Sequence, residues 1–339
     1  MKKILAITFT ALLANGAGSA DINDVPSVRS DLAMNTSSTA ADSRNFLISA
    51  YQDGVAEIAL SRLALQKAVD DNVKKFAQRM IDDHTQANNE ITQLAQAKNI
   101  PLPTVASAAD QETLQNMSNL SGIDFDRAYM RHNVMVHEKD VSLFREQAIA
   151  GTDSDIKTFA ANTLPALQLH LLSAKTIGGM IDPAVFLMNA FQDGKAEIQL
   201  STLALQKSSN TEVRQFAQKM INEHTQVNNE ITQLAQAEDI TLPVDIPVEH
   251  KAAYDDMSKM SGADFDKAYM NYNVLVHAVG VTQATAQARS GTDADIKAFA
   301  AKTLPALSMH LQMARDIYER IEPGLLLEAF QDGMGEILL

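Results

Sequence analysis

The sequence contains no cysteine and no tryptophan, and only 5% of its residues are aromatic. Without cysteine, the chain can form neither a disulfide bond nor a cysteine-linked lipid anchor, and a thiol nucleophile is excluded. Basic residues are also scarce, because 28 Lys and Arg stand against 42 Asp and Glu, for a net charge of −14. We expect no nucleic-acid partner, since binding a phosphate backbone requires a basic surface.

Long hydrophobic runs are lacking as well, so we expect no transmembrane anchor. The apolar run "ILAITFTALLA" at residues 4–14 is too short to span a bilayer. It follows "MKK" and precedes "GSA", the pattern of a signal peptide cleaved after Ala20. We therefore expect residues 1–20 to direct secretion across the inner membrane. Residues 21–42 are polar and aperiodic, which predicts a flexible lead-in.

What the chain does have is a long internal repeat in a helix-forming composition. Apolar residues make up 46% of the chain, and Ala, Leu, Gln and Met are frequent. The segment "NNEITQLAQA" occurs unchanged at residues 88–97 and 228–237, and "GTDSDIKTFAANTLPAL" at Gly151 returns as "GTDADIKAFAAKTLPAL" at Gly291. The common shift of 140 residues is too long for a solenoid unit and predicts a duplicated domain.

Each copy has the pattern of four helices, with short turns after the first and third and a long middle connection. In copy 1 we predict helices over about residues 43–69, 72–98, 122–151 and 152–181, and a short one near 111–117. Pro165 should bend the fourth helix. No strand pattern is present. The order predicts an all-α fold of two tandem ferritin-like four-helix bundles, over residues 43–182 and 183–322.

Several motifs recur together in a fixed order: "QDG" before "AEI", "FAQ" before "HT" and "NNEI", "FD" before "AYM", and "IK" before "FA" and "LPAL". In this combination the chain resembles a bacterial family of secreted proteins named only domain of unknown function 4142, over about residues 45–180 and 185–320. The resemblance implies a ferritin-like fold and a place in the cell envelope, in the periplasm or associated with the outer membrane. It implies no established activity.

Each copy also carries one glutamate and three histidines, one from each predicted helix, at gaps of 27, 53 and 33 residues. They are Glu57, His84, His137 and His170 in copy 1, and Glu197, His224, His277 and His310 in copy 2. The histidines continue the apolar stripes of their helices, so we expect all of them to point inward. Glu57, His84 and His137 should share a mid-bundle level, with His170 about one helical turn away.

Two interpretations of these residues are open. In one, neutral histidines hydrogen-bond the glutamate and the backbone, forming a polar layer that fixes the register of the helices. In the other, three imidazoles and one carboxylate bind one divalent transition metal per bundle, a ligand set that suits Zn, Fe, Cu or Ni. A small ligand or a haem-like group is a third alternative. The first two predict Glu57 and Glu197 within hydrogen-bonding reach of a histidine.

A di-iron centre is not expected, despite the ferritin-like pattern. Such centres need Glu-x-x-His on two helices and further carboxylates. The residues three positions before the candidate histidines are all apolar: Ile81, Val134, Leu167, Ile221, Val274 and Leu307. Asp83 and Glu223 precede a histidine directly and should face elsewhere, because one helical step turns about 100°. We expect them to lie on the surface or, at most, behind the candidate ligands. His250 falls in the middle connection of copy 2, where we expect it to be solvated.

The chain ends on a partial third occurrence of the first helix, since "AFQDGMGEILL" at residues 329–339 matches "AYQDGVAEIAL" and "AFQDGKAEIQL". We predict an extra helix over residues 323–339 that docks on copy 2 or on another chain. Envelope proteins and self-association through this helix are therefore the expected partners. No enzyme motif is present, so the sequence favours a non-enzymatic, binding or stress-related envelope protein. The alternative is a mononuclear metal-binding protein.

Overall fold

Every regular element in the described part of the chain is a helix, which confirms the all-α prediction. The computed structural model describes the backbone of residues 31–323 and the side chains of residues 43–323. Copy 1 contains α1 (Asp31–Lys67), α2 (Asp71–Ala97), α3 (Ala108–Ser118), α4 (Gly122–Ala150) and α5 (Ser154–Ile181). Copy 2 contains α6 (Pro183–Lys207), α7 (Thr211–Ala237), α8 (Val248–Ser258), α9 (Gly262–Ser290) and α10 (Ala294–Ile321).

Side-chain caps fix where several helices begin. The side chains of Asp70, Asp182, Asn210 and Asp293 each accept hydrogen bonds from two backbone N–H groups of the turn that follows. These N–H groups have no partner within the helix, so each cap contributes about 1 kcal/mol. Asp182 is followed by Pro183 at the first helical position, where a proline loses no helical hydrogen bond.

The first helix begins earlier than the sequence predicts. Helix α1 starts at Asp31 rather than at Ser43, so the second half of the expected flexible lead-in is helical. The segment 31–42 lacks an apolar stripe, but it also lacks glycine and proline. Extending an existing helix costs far less than nucleating one, so good helix formers suffice to lengthen it. Residues 21–30 and the expected signal peptide lie outside the described residues.

In copy 2, two helical hairpins form the bundle. Helix α6 packs against α7, and α9 against α10, each pair across a short turn. Helix α6 also packs against α9, and the long connection from α7 to α9 carries α8. Two hairpins joined by one long crossover are the ferritin-like arrangement. Large buried side chains fill the interior, among them Phe216, Met220, Tyr269 and Met270.

In copy 1, α1 and α2 form the corresponding first hairpin. Aromatic contacts bring α1, α4 and α5 together. The ring centroids of Phe46 and Phe144 are 4.8 Å apart, and those of Phe144 and Phe159 are 6.0 Å apart. Helix α5 continues through Pro165, and α10 through Pro305. The bend expected at these prolines stays a prediction.

A glycine lets the helices of each first hairpin approach closely. A Cβ atom added at Gly54 would lie 2.5 Å from the Asn88 side chain, and one added at Gly194 would lie 2.4 Å from Asn228. The amide of Asn88 donates to the Tyr51 carbonyl oxygen at 3.4 Å. A side chain at either glycine would force the asparagine amide to move from its present position.

Internal packing divides the chain into two compact units whose borders differ from the repeat borders. The first unit runs to Phe125 and resumes over Met135–His170, and the second holds Asp126–Val134 and the chain from Leu171 onward. The candidate residues of copy 1 all lie in the first unit, and those of copy 2 in the second. Among the described helices, none is long and apolar enough to cross a bilayer. Residues 324–339, with most of the predicted extra helix, lie outside the described residues.

Candidate metal centre

Three histidines from three helices meet inside each bundle. In copy 1 the ring centroids of His84, His137 and His170 are 5.7, 5.6 and 5.3 Å apart. In copy 2 the corresponding distances are 5.6, 5.7 and 5.3 Å, among His224, His277 and His310. One ligand nitrogen from each ring lies within 4.8 Å of the other two. All of these histidines are buried.

His170 belongs fully to its cluster, which corrects the expectation that it lies one helical turn off level. The direction of the side chains explains the difference. The Cα–Cβ bonds of a helix tilt toward its N-terminus, so the His170 ring lies closer to the start of α5 than its Cα atom does. His137 lies on the preceding helix, α4, whose direction is reversed, and its ring shifts the opposite way. The two shifts bring the rings to one level.

A buried carboxylate joins the cluster in copy 2. The Oε2 atom of Glu197 lies 2.9 Å from Nε2 of His224 and 3.4 Å from Nε2 of His277. This contact confirms the predicted approach of the glutamate. Glu57 occupies the equivalent place in copy 1 and is also buried, at 1% exposure. Its approach to a histidine of copy 1 stays a prediction.

Hydrogen bonds behind the rings orient the imidazoles. His310 Nε2 lies 2.6 Å from Glu223 Oε2, and His170 Nε2 lies 2.8 Å from Asp83 Oδ2. His277 Nδ1 donates to the Asn273 carbonyl oxygen at 2.9 Å. Carboxylate and carbonyl oxygens accept here, so the proton of each ring sits on its outer nitrogen and the inner nitrogen keeps its lone pair.

Asp83 and Glu223 thus lie behind candidate ligands, which is one of the two positions expected for them, but the histidines that they contact were not predicted. They do leave the inner stripe of their helices, as one helical step requires. That turn directs Asp83 toward α5, which carries His170, and Glu223 toward α10, which carries His310. A helical wheel of one helix cannot reveal a partner that a different helix supplies.

Several inner nitrogens are buried without a hydrogen bond. Among the described residues, no hydrogen-bond partner reaches Nε2 of His84 or Nδ1 of His170 in copy 1, or Nδ1 of His310 in copy 2. Buried polar atoms in folded proteins are nearly always hydrogen-bonded, so such a group of acceptors needs an explanation. Lone pairs that converge from three rings can bind a cation, whereas a satisfied polar layer would provide each acceptor with a donor.

The charges of the site suit a cation as well. Burial lowers the pKa of His84 to about 3, with His170 adding to the effect. Burial and His277 lower the pKa of His310 to about 4. Burial raises the pKa of Glu197, but His224 and His277 outweigh it and hold this pKa down to about 2. At neutral pH His84 and His310 are therefore neutral and Glu197 is ionised, which are the forms that bind metals. Glu197 raises the pKa of His224, so a metal at this site would displace a proton from that ring.

A family model described as Domain of unknown function (DUF4142) matches residues 29–177 and again residues 180–317. The chain belongs to this family. The two matches confirm both the resemblance and the tandem duplication. No curated protein and no solved structure matched the chain. The DUF4142 description carries no activity, so any function must be argued from the site.

One functional candidate of this DUF4142 chain was missed in the sequence. His250 is buried in α8, at 8% exposure, rather than solvated. Its Nε2 lies 2.8 Å from Asp193 Oδ1, and its Nδ1 lies 2.8 Å from the Tyr272 hydroxyl. The burial of His250 had a signal in the sequence, namely the short stripe of His250, Ala253 and Met257 on the inner face of α8. In copy 1 the positions of His250 and Tyr272 hold Asp110 and His132.

Proposed function

We propose that each bundle binds one divalent transition-metal ion, and that the protein is a metal-binding protein of the bacterial cell envelope. The ligands are His84, His137 and His170 with Glu57 in copy 1. In copy 2 they are His224, His277 and His310 with Glu197. The observation that carries the proposal is the convergence of buried imidazole nitrogens within 4.8 Å of one another, several of them without a donor.

The geometry is compatible with a tetrahedral ion. Zinc binds imidazole nitrogen at about 2.0–2.1 Å, so nitrogens around one such ion lie roughly 3.3 Å apart. The ligand nitrogens here lie within 4.8 Å of one another. Metal binding would require side-chain rotations that close this difference. The glutamate then completes the coordination, since its carboxylate already contacts two rings in copy 2.

The hydrogen bonds behind the rings support the same proposal. Histidines that bind metals usually donate their other N–H to a carboxylate or a backbone carbonyl, which fixes the tautomer and the orientation of the ring. Asp83, Glu223 and the Asn273 carbonyl provide this arrangement. A polar layer without metal would not require the protons of His170, His277 and His310 to be held on the outside of the cluster.

Measuring the metal content of purified protein tests the proposal. The mature chain should bind two equivalents of a transition metal from Zn(II), Cu(II), Ni(II) or Fe(II). His84→Ala and His224→Ala should each reduce this to one, and the double variant to none. His132→Ala removes a histidine outside the clusters and should leave two. Folded protein that binds no metal, or a count unchanged in the double variant, would overturn the proposal.

We also propose that the chain is exported and acts in the envelope by binding, in a stress-related role and without turnover. The N-terminal residues support export, since a basic start, a short apolar run and "GSA" form a signal-peptide pattern. Cell fractionation followed by N-terminal sequencing tests this part. The expected result is envelope protein that begins at Asp21. A cytoplasmic protein that retains Met1 would contradict it.

A further inference from the structure

A cavity of about 40 Å³ lies beside the three-histidine cluster of copy 1. One water needs about 10–15 Å³ of such space, so the cavity has room for roughly three waters or a ligand of similar size. It lies among α1, α2, α4 and α5, and both His84 and His170 line it. The cavity thus lies directly against two of the three rings of the cluster.

A carboxyl group of α4 also lines the cavity. Asp140 is 3% exposed, although aspartate is rarely buried in proteins. Burial, together with the nearby charges of Asp53 and Glu57, raises the pKa of Asp140 well above its usual range, and Lys139 opposes this only in part. Most of the remaining wall is apolar, with Ile91, Phe144 and Leu167 among its residues. Asp53 and Asp83 also line the cavity but are only half-buried, so Asp140 is the most deeply buried acid of its wall.

The equivalent place in copy 2 has different residues. Gly280 stands where copy 1 has Asp140, and Ala284 stands where copy 1 has Phe144. Position 280 has room for a side chain, because an added Cβ would meet only Leu307 Cδ2, at 4.0 Å. The two bundles share their histidine triangle but not the polar group beside it. The chain therefore contains its own comparison for what Asp140 does.

We propose that the metal of copy 1 binds a small external ligand of two or three non-hydrogen atoms in this cavity, with Asp140 donating a hydrogen bond to it. The ligand class is a small oxygen or nitrogen donor, such as peroxide or azide. This inference rests on the proposed metal binding. His84 and His170 line the cavity, and its volume suits a ligand of two or three non-hydrogen atoms. Copy 2 lacks the hydrogen-bonding group and should bind the same ligand more weakly.

Azide binding to Cu(II)-loaded protein tests the inference, because azide on copper gives a charge-transfer absorption band. The His224→Ala variant keeps only the copy 1 site, and His84→Ala keeps only the copy 2 site. Metal content must first equal one ion in each variant. Azide should then bind the copy 1 site roughly three to ten times more tightly than the copy 2 site, as expected for one hydrogen bond.

Changes at positions 140 and 280 sharpen the test. In the His224→Ala background, Asp140→Ala should weaken azide binding roughly three- to tenfold, whereas Asp140→Asn keeps a donor and should preserve most of it. In the His84→Ala background, Gly280→Asp should strengthen azide binding. Retained copper with equal azide affinity at both sites, or no effect of Asp140→Ala, overturns the inference alone. Failure to bind copper overturns the proposed metal function and this inference with it.

Discussion

The two bundles have nearly the same histidine triangle, with ring separations that differ by no more than 0.1 Å between the copies. They differ in what lies next to it. In copy 1, Asp53 on the first helix pairs with Lys139 at 3.2 Å. In copy 2, the equivalent Asp193 instead contacts His250 at 2.8 Å. The same carboxylate has thus kept a cationic or hydrogen-bonding partner, but the partner comes from a different helix.

This comparison separates the residues that the site requires from those that vary around it. The histidines, the buried glutamate and the carboxylate behind the last histidine are present in both copies, with Asp83 in one and Glu223 in the other. The groups at positions 140 and 280, and at 132 and 272, are not shared. We infer that duplication kept a common binding centre and let its surroundings diverge, which allows the two sites to differ in affinity and reactivity.

The largest expected effect is the stabilisation of both bundles by metal. A ligand that binds only the folded state at 1,000 times its Kd adds about 4 kcal/mol to the free energy of unfolding. Thermal unfolding of metal-free and metal-loaded protein should show this gain. His84→Ala should abolish it for copy 1, and His224→Ala for copy 2, as monitored by hydrogen exchange in each bundle. Equal unfolding temperatures with and without bound metal would contradict the expected stabilisation of the two bundles.

The next effect concerns the carboxylates behind the rings. Asp83→Asn should weaken metal binding by copy 1, and Glu223→Gln by copy 2, each by about 10- to 100-fold, because these groups fix a histidine tautomer. Titration of single-site variants measures both. Asp82→Asn is a matched control in copy 1, since Asp82 is exposed and accepts a hydrogen bond from Gln78 on the same helix. An effect confined to one copy would show that the two outer carboxylates are not equivalent.

The metal-free bundles should also differ in their response to acid. The pKa of His84 is lowered to about 3, so the unfolded state binds a proton that the folded state does not, and stability falls as the pH drops from 6.5 toward 3. The pKa of His224 is raised, because Glu197 outweighs burial. The contribution of His224 to the free energy of unfolding is therefore fully present below about pH 6.5 and is lost at higher pH.

Chemical denaturation at pH 7 and pH 5 tests this difference. His84→Gln should reduce the loss of stability between the two pH values by up to about 2 kcal/mol, since each proton contributes about 1.4 kcal/mol per pH unit. His224→Gln should increase that loss. A shift of the same sign in both variants would contradict the opposite pKa shifts of the two histidines.

The smallest expected effect is at Lys139. Its ion pair with Asp53 is specific to copy 1, and the lysine side chain is 63% exposed. Exposed ion pairs contribute about 0–1 kcal/mol, so Lys139→Ala should change the free energy of unfolding by less than about 1 kcal/mol. The equivalent residue of copy 2 is already apolar, Val279. Urea denaturation measures the change, and a loss of several kcal/mol would mean that Lys139 stabilises copy 1 in another way.

The sequence predicted the helices well because their signals are local. Proline, capping residues and apolar stripes act within a few positions, and the repeat allowed each signal to be checked twice. The histidine clusters could be predicted for the same reason, since each histidine continues an apolar stripe of its own helix. The predicted start of α1 was wrong, because chain composition alone does not show how far a stable helix extends.

The partners of the ring nitrogens could not be predicted, because they depend on contacts between helices. Asp83 and His170 lie 87 residues apart, and His250 and Asp193 lie 57 apart. Which face of one helix meets which edge of another depends on packing angles and side-chain directions. The same dependence explains why His170 was placed off level and why the burial of His250 was missed.

The close approach at Gly54 and Asn88 also has an evolutionary consequence. The glycine lies three residues before Glu57, and the asparagine lies four residues after His84. The contact therefore sets the distance between the two helices one turn from the candidate ligands. A change at either position alone should be selected against, so related chains should replace the glycine and the asparagine together or not at all. Correlated substitution of this pair would mark family members whose first hairpin, and with it the spacing of glutamate and histidine, has been rebuilt.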